Sequence, residues 1–204
     1  LLLAYVIYRF NANSNPVPTR TTHNTLVEVV WTVVPVLILI AIAIPSFWLL
    51  YFQREIPKAD LTLKITGNQW NWTYDYPDNG AISLTAFVKQ RADLKAGEPY
   101  LLTTDNAVVV PVNKTVRIIV TASDVIHSWA MPSFGVKIDA VPGRLNEDWF
   151  KAEAVGTYYG QCSELCGKDH AFMPIMVQVV PEADFTAWAA KAKAAGIEEA
   201  RKYL

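Results

Sequence analysis

The chain has 204 residues, 52% of them hydrophobic, and carries 18 Lys and Arg against 19 Asp and Glu. That length suits one globular domain of ordinary size plus something more apolar. Charge so evenly balanced excludes the basic footprint of a groove reader, so no nucleic acid is expected as a partner.

Leu1 to Tyr8, LLLAYVIY, is apolar but too short to cross a bilayer. The chain opens on Leu, and no small-residue cleavage site follows. The segment is therefore read as the surviving end of a first transmembrane helix, incomplete at its N-terminus, rather than as a signal peptide. Arg9 to Asn24 is polar and forms a loop between two membrane helices; His23 within it has no assigned role. Its Arg9 and Arg20 mark it as cytoplasmic by the positive-inside rule. Leu26 to Phe52 is the second helix, with Glu28 its single ionisable group. At about 1.5 Å per residue it spans a hydrocarbon core of about 30 Å with margin for tilt. Trp31 near one end and Trp48 and Tyr51 near the other suit the two interfaces. Pro35 and Pro45 are tolerable inside a span when neighbours or waters satisfy the freed carbonyls. Residues 1–52 are thus a transmembrane hairpin in membrane lipid, and everything after it lies on the far side, in the periplasm or its organellar equivalent.

Residues 53–60 read as a linker. From 61 to 181, period-two runs of β-branched and aromatic residues take over: LTLKITGNQWNWTYDY, AISLTAF, AVVVPVNKTVRIIVTA, GVKIDAV, NEDWFKAEAVGTYYGQ and IMVQVV. Many short strands separated by Gly, Pro and Asn predict an antiparallel sandwich or barrel. Residues 182–204 predict one closing helix, acidic in its first turn and basic in its last.

The stretch QCSELCGKDHAFMP, Gln161 to Pro174, holds both cysteines, one of the three histidines and one of the three methionines. Its spacing is Cys162, three residues, Cys166, three residues, His170, two residues, Met173, and His127 lies upstream in DVIHSW at the end of a predicted strand. Three readings compete. A disulfide suits an oxidising compartment but leaves His170 and Met173 without a reason. Zinc accepts two Cys and two His but has no use for a thioether. The third reading starts from the blue-copper pattern of a distant His followed by Cys, His and Met on one loop of a β-sandwich. The surplus thiolate, Cys162, allows two sulfurs to bridge two copper ions with one imidazole each. Met173 and a backbone carbonyl between the cysteines then fill the remaining positions. An electron spread over two metals and two sulfurs changes bond lengths little, which favours fast transfer.

The loop CSELCGKDHAFM, the upstream DVIHSW, the aromatic run QWNWTYDYP and the two-helix hairpin resemble subunit II of the haem–copper cytochrome c oxidases, over essentially the whole chain. The resemblance implies a transmembrane α-helical hairpin followed by an all-β cupredoxin-like sandwich or barrel and a C-terminal helix. It implies a binuclear copper A centre in which Cys162 and Cys166 bridge, His127 and His170 each ligate one copper, Met173 binds weakly and the carbonyl of Glu164 reaches the other metal. The Glu164 carboxylate would face a magnesium or manganese ion shared with the catalytic subunit. It implies an inner-membrane subunit, bacterial or mitochondrial, of a proton-translocating respiratory oxidase, which takes electrons from cytochrome c and passes them to haem in subunit I. Oxygen reduction is not assigned to this chain. By the same resemblance Trp70 receives the electron and Glu28 takes part in proton uptake, although a carboxylate at that depth also snorkels. Asn68 stands where the family usually has His.

Trp70, Trp72, Tyr74 and Tyr76 alternate, so on one strand all four share a face. Asp75, Asp78, Asp105 and Asp124 are candidates for an acidic surround that steers a basic partner. The rival function is a membrane-anchored copper-delivery protein. It fits less well, because a carrier favours mobile Met or His clusters and needs only one tether.

Overall fold

The computed structural model describes residues 1–80 and 82–203. They divide into two units, Leu1–Tyr51 and Phe52–Leu204.

In the first unit, α1 covers Leu2–Arg9 and α2 covers Thr25–Arg54. Helix α2 starts where Asn24 accepts a hydrogen bond from the Val27 N–H at 3.2 Å, an N-cap that satisfies one of the orphan donors of the first turn. Glu28 bends back to the Asn24 N–H at 3.4 Å, so its carboxylate lies at the positive end of the helix. At 30 residues and a mean hydropathy of 2.7 over its most apolar window, α2 is long and apolar enough to cross a membrane. Pro35 and Pro45 both sit inside it, and the hydroxyls of Thr32 and Ser46 donate to the carbonyls of Glu28 and Ile42, each at 2.8 Å. Helix α1, with eight residues, reaches only about 12 Å. Among the described residues α2 is the one helix of spanning length.

The second unit is a sandwich of two five-stranded sheets. One has the order β3-β2-β1-β5-β8 and the other β4-β10-β9-β6-β7. In the first, β1 (Leu61–Asn68), β2 (Asn71–Tyr76) and β3 (Ile82–Ala86) form a meander, followed by β5 (Thr115–Ala122) and β8 (Asn146–Lys151). The second comprises β4 (Val108–Pro111), β10 (Pro174–Val180), β9 (Gly156–Cys162), β6 (His127–Met131) and β7 (Val136–Ala140). Alternation sets the core. Leu61, Leu63 and Ile65 from β1 and Val116, Ile118 and Val120 from β5 point inward, against Ile175, Val177 and Val179 from β10. Strand β6 is buried along its whole length, so its side chains are held on both faces.

The sandwich departs from the sequence expectation in four places. The first and second sheets are mixed rather than antiparallel: β1 pairs with β5, and β4 with β10, in parallel. Period-two patterning carries no strand direction, and these pairs join segments far apart in sequence. Second, AVVVPVNKTVRIIVTA is two strands in different sheets, divided where Asn113 adopts a positive φ of 60°. Third, LTLKITGNQWNWTYDY is a hairpin whose two-residue turn is Gln69–Trp70. Trp72, Tyr74 and Tyr76 share the buried face of β2, whereas Trp70 lies outside the strand and half-buried. Fourth, the closing helix breaks at Gly196 into α3 (Glu182–Ala195), α4 (Ile197–Ala200) and a 3-10 turn at Arg201–Tyr203.

Candidate metal centre

Strands β6 and β9 are neighbours in antiparallel register, with Trp129 opposite Cys162. That pairing brings the first residue of β6, His127, beside the last residue of β9. Cys162 then leads into a loop that turns back at His170–Phe172 to start β10. The Cys162 N–H donates to the Met173 carbonyl at 3.1 Å, which closes the loop onto itself. His127, Cys162, Cys166 and Met173 are all buried, and His170 is half-buried.

The donor atoms converge. One ring nitrogen of His127 and the two sulfurs lie within 4.8 Å of one another. The thiols are free, with their sulfurs 3.9 Å apart, and His170 Nδ1 is 3.5 Å from the Cys166 sulfur. The Glu164 carbonyl points inward, 3.5 Å from the Cys162 sulfur, while the Glu164 residue is exposed. His127 Nε2 donates to Asp124 Oδ1 at 2.8 Å, so Nδ1 keeps its lone pair; it is buried and has no hydrogen-bond partner. An orphaned imidazole nitrogen next to two thiols, with the buried Met173 on the same loop, is a soft donor set that fits copper.

Electrostatics separate the two thiols. Burial would raise Cys162, but the neighbouring His127 imidazole and hydrogen bonds to the backbone outweigh it and bring the thiol down to about 6. Burial and the neighbouring Cys162 thiolate instead push Cys166 up to about 12. Burial would lower His127, yet Cys162 and Asp124 together raise it. Asp124 is also disfavoured by burial, and its bonds from His127, Val125 and Gln69 hold it below the usual carboxylate range.

Two glycines make room for this arrangement. A Cβ on Gly67 would lie 2.9 Å from the His127 ring, so strand β1 can pass that close only without a side chain. Gly167, at φ 121°, would place a Cβ 2.9 Å from Gln69 Nε2 and 3.1 Å from the Trp70 ring. The isolated Gly67 inside a strand pattern was the available sequence signal for such an approach. Gln69 carried no comparable signal, yet its side-chain amide donates to the Cys166 carbonyl at 2.8 Å, alongside the Trp70 indole N–H at 3.3 Å. Asn68 is a hub at the same edge: it accepts from Ser123 at 2.7 Å and donates to Asn71 and Thr73 at 3.0 and 3.1 Å.

The four candidate acidic residues do not form one group. Asp124 lies within the centre, its carboxylate accepting from the Gln69 and Val125 N–H groups at 2.7 and 2.6 Å besides His127. Asp78 accepts from the Thr62 N–H at 2.7 Å, at the end of β1 opposite Gly67. Asp75 pairs with Lys64 and accepts from Ser83. Asp105 accepts from the Phe87 and Asn106 N–H groups. Glu28 belongs to the other unit, at the start of α2.

Comparison with known proteins agrees over most of the chain. The family model for the periplasmic domain of cytochrome c oxidase subunit II matches residues 61–180, and that for its transmembrane domain matches residues 1–49. A probable cytochrome c oxidase subunit 2 from Rickettsia bellii is 52% identical over 93% of this chain and 70% of its own length. The cytochrome c oxidase subunit 2 of Cereibacter sphaeroides is 49% identical over 95% of this chain and 69% of its own. Against the Rickettsia conorii relative, the chain spans 60% of that protein's length. Among solved structures, the periplasmic domain of subunit II of cytochrome oxidase (CoxB) of Bradyrhizobium japonicum has a TM-score of 0.64 and 54% identity, covering 74% of this chain and all of that one. Subunit II was also solved as a mixed disulfide intermediate with thioredoxin-like TlpAs, with a TM-score of 0.58, 55% identity, and coverage of 68% of this chain and 96% of that one.

Proposed function

Because the chain belongs to the family of cytochrome c oxidase subunit II, we propose that it is the membrane-anchored electron-accepting subunit of a respiratory haem–copper oxidase, taking electrons from cytochrome c and passing them to haem in the catalytic subunit. The observation that carries this reading is the buried cluster of His127 with Cys162 and Cys166, its imidazole nitrogen free to ligate. His127, Cys162, Cys166, His170, Met173 and the Glu164 carbonyl would hold a binuclear copper A centre. When bound, that centre supplies a one-electron acceptor of small reorganisation.

This chain's own residues do the rest. Asp124 orients the His127 ring, and the buried β6–β9 pair limits the movement of the ligand loop when charge changes. Trp70 receives the electron at the protein surface, its indole N–H on the carbonyl of the ligand Cys166. The exposed Glu164 carboxylate is directed to a magnesium or manganese ion shared with the catalytic subunit, since a hard dication prefers charged oxygen. Asp75, Asp78 and Asp105 act at most as scattered attraction for a basic cytochrome c. Glu28, at the first turn of α2, is assigned to proton uptake, and α1 to a second membrane span. By analogy with the mixed disulfide of the relative with thioredoxin-like TlpAs, the free thiols of Cys162 and Cys166 are open to thiol–disulfide exchange with a partner of that kind.

Electron paramagnetic resonance of the purified, copper-loaded chain tests the reading. A multi-line pattern from one electron shared by two equivalent coppers is expected; a four-line pattern of one copper, or a silent zinc-bound protein, overturns it.

A further inference from the structure

The β1–β2 turn is fastened to the metal loop at more points than a surface hairpin needs. Gln69 is held at both of its ends: its backbone N–H donates to Asp124 Oδ2 at 2.7 Å and its side-chain amide to the Cys166 carbonyl at 2.8 Å. Gln69 thereby links the segment that carries His127 with the segment that carries Cys166. The next residue, Trp70, reaches the same carbonyl at 3.3 Å, beyond the usual range for an N–H···O bond. A carbonyl has two lone pairs and can take both donors. Of the two bonds the shorter one does the holding, and the indole is carried to the loop by its neighbour. The third element is Gly167, where any Cβ would stand 2.9 Å from the Gln69 amide and 3.1 Å from the indole ring.

We propose that Gln69 is a positioning residue for electron uptake: its two hydrogen bonds, with the space left by Gly167, hold the Trp70 indole against the backbone of the ligand Cys166. The consequence for electron transfer rests on the reading of Trp70 as the receiving residue; the positioning itself does not. The path so maintained runs from the indole N–H through one hydrogen bond to the Cys166 carbonyl carbon, then by Cα and Cβ to the ligating sulfur. Its weakest step is the hydrogen bond, the step that Gln69 controls.

Two variants and two readouts test the proposal. Gln69→Leu removes the donor at similar size, and Gln69→Glu keeps the shape but presents a carboxylate oxygen to the carbonyl. In the copper-free full chain in detergent, the Trp70 indole 1H–15N signal is assigned among the seven tryptophans by its loss in Trp70→Phe. Both variants are expected to shift that signal and to speed its solvent exchange. In the assembled oxidase, both should slow electron uptake from cytochrome c about fivefold, with KM within about twofold and the copper spectrum unchanged, a coupling of ordinary size for residues in contact. In a Trp70→Phe background, adding either variant should cost nothing more. An unmoved indole signal overturns the proposal, as does equal slowing with and without Trp70, or an altered copper spectrum. If Trp70→Phe by itself leaves the rate unchanged while Gln69→Leu still shifts the indole, positioning stands and the electron-receiving role of Trp70 falls.

Discussion

Asp124→Asn separates two jobs that one carboxylate could do. If Asp124 were a docking charge, its loss would weaken the salt-dependent attraction of a basic partner and leave the protein otherwise intact. The structure points inward instead. The carboxylate accepts three hydrogen bonds at 2.6 to 2.8 Å, from the Val125 and Gln69 N–H groups and from the fully buried His127. Bonds to a charged acceptor are worth about 1.5–3 kcal/mol each, and neutral ones about 1. Asn offers one neutral oxygen and turns an N–H group towards another donor. Discounted for a side chain that is 32% exposed, the expected loss is about 2–3 kcal/mol. For a domain of this size that lowers the melting temperature of the copper-free protein by roughly 5–10 °C. Copper affinity should fall about 10- to 100-fold, because the imidazole loses the partner that fixes its tautomer. Asp124 is held below its ordinary value, so its stabilisation is complete above about pH 4 and disappears as pH falls through the folded value. The difference between wild type and variant must therefore shrink in strong acid. Thermal melts against pH and a copper titration decide the matter. An unchanged melting temperature and copper affinity, with only the salt dependence of cytochrome c binding reduced, would refute the reasoning.

Four further outcomes are expected. Cys162→Ser should convert the binuclear spectrum to a mononuclear or copper-poor one, since oxygen is a harder bridge than sulfur; retention of the wild-type spectrum by paramagnetic resonance would count against the bridge. Glu164→Gln should spare both coppers, because the inward carbonyl is backbone, while manganese or magnesium in the assembled complex declines, and metal analysis of one preparation reads both. Metal loading should release protons and keep tightening as pH rises towards about 12, because Cys166 is pushed up to about 12 and must lose its proton to ligate; a flat pH titration of affinity contradicts this. Gly67→Ala should cost about 1–3 kcal/mol by driving a methyl into the His127 ring, measurable by denaturant titration, with no effect expected if β1 can shift freely.

What the sequence determined by itself was local or periodic. Most of the 30 residues of α2 are apolar, as a helix long enough to cross lipid requires, so the span is visible without any partner. Cys162, Cys166, His170 and Met173 lie close in the chain, and a turn-rich loop can gather donors at such spacing whatever surrounds it. Alternation likewise exposed the inward faces of β1, β5 and β10, since one face of each must leave water. Long-range choices left no such trace. The parallel pairing of β1 with β5 and of β4 with β10 depends on crossovers, to which a period of two is blind. Trp70 shares its alternation with Trp72, Tyr74 and Tyr76, and only the turn after Asn68 takes it out of the strand. Asp124 reads as one more surface carboxylate until β6 carries His127 to the end of β9 and the β1–β2 turn supplies Gln69. Hydrogen bonds reach only about 3 Å, so which donor meets which acceptor is decided by the register of the sheets and the packing of their turns, after the chain has folded.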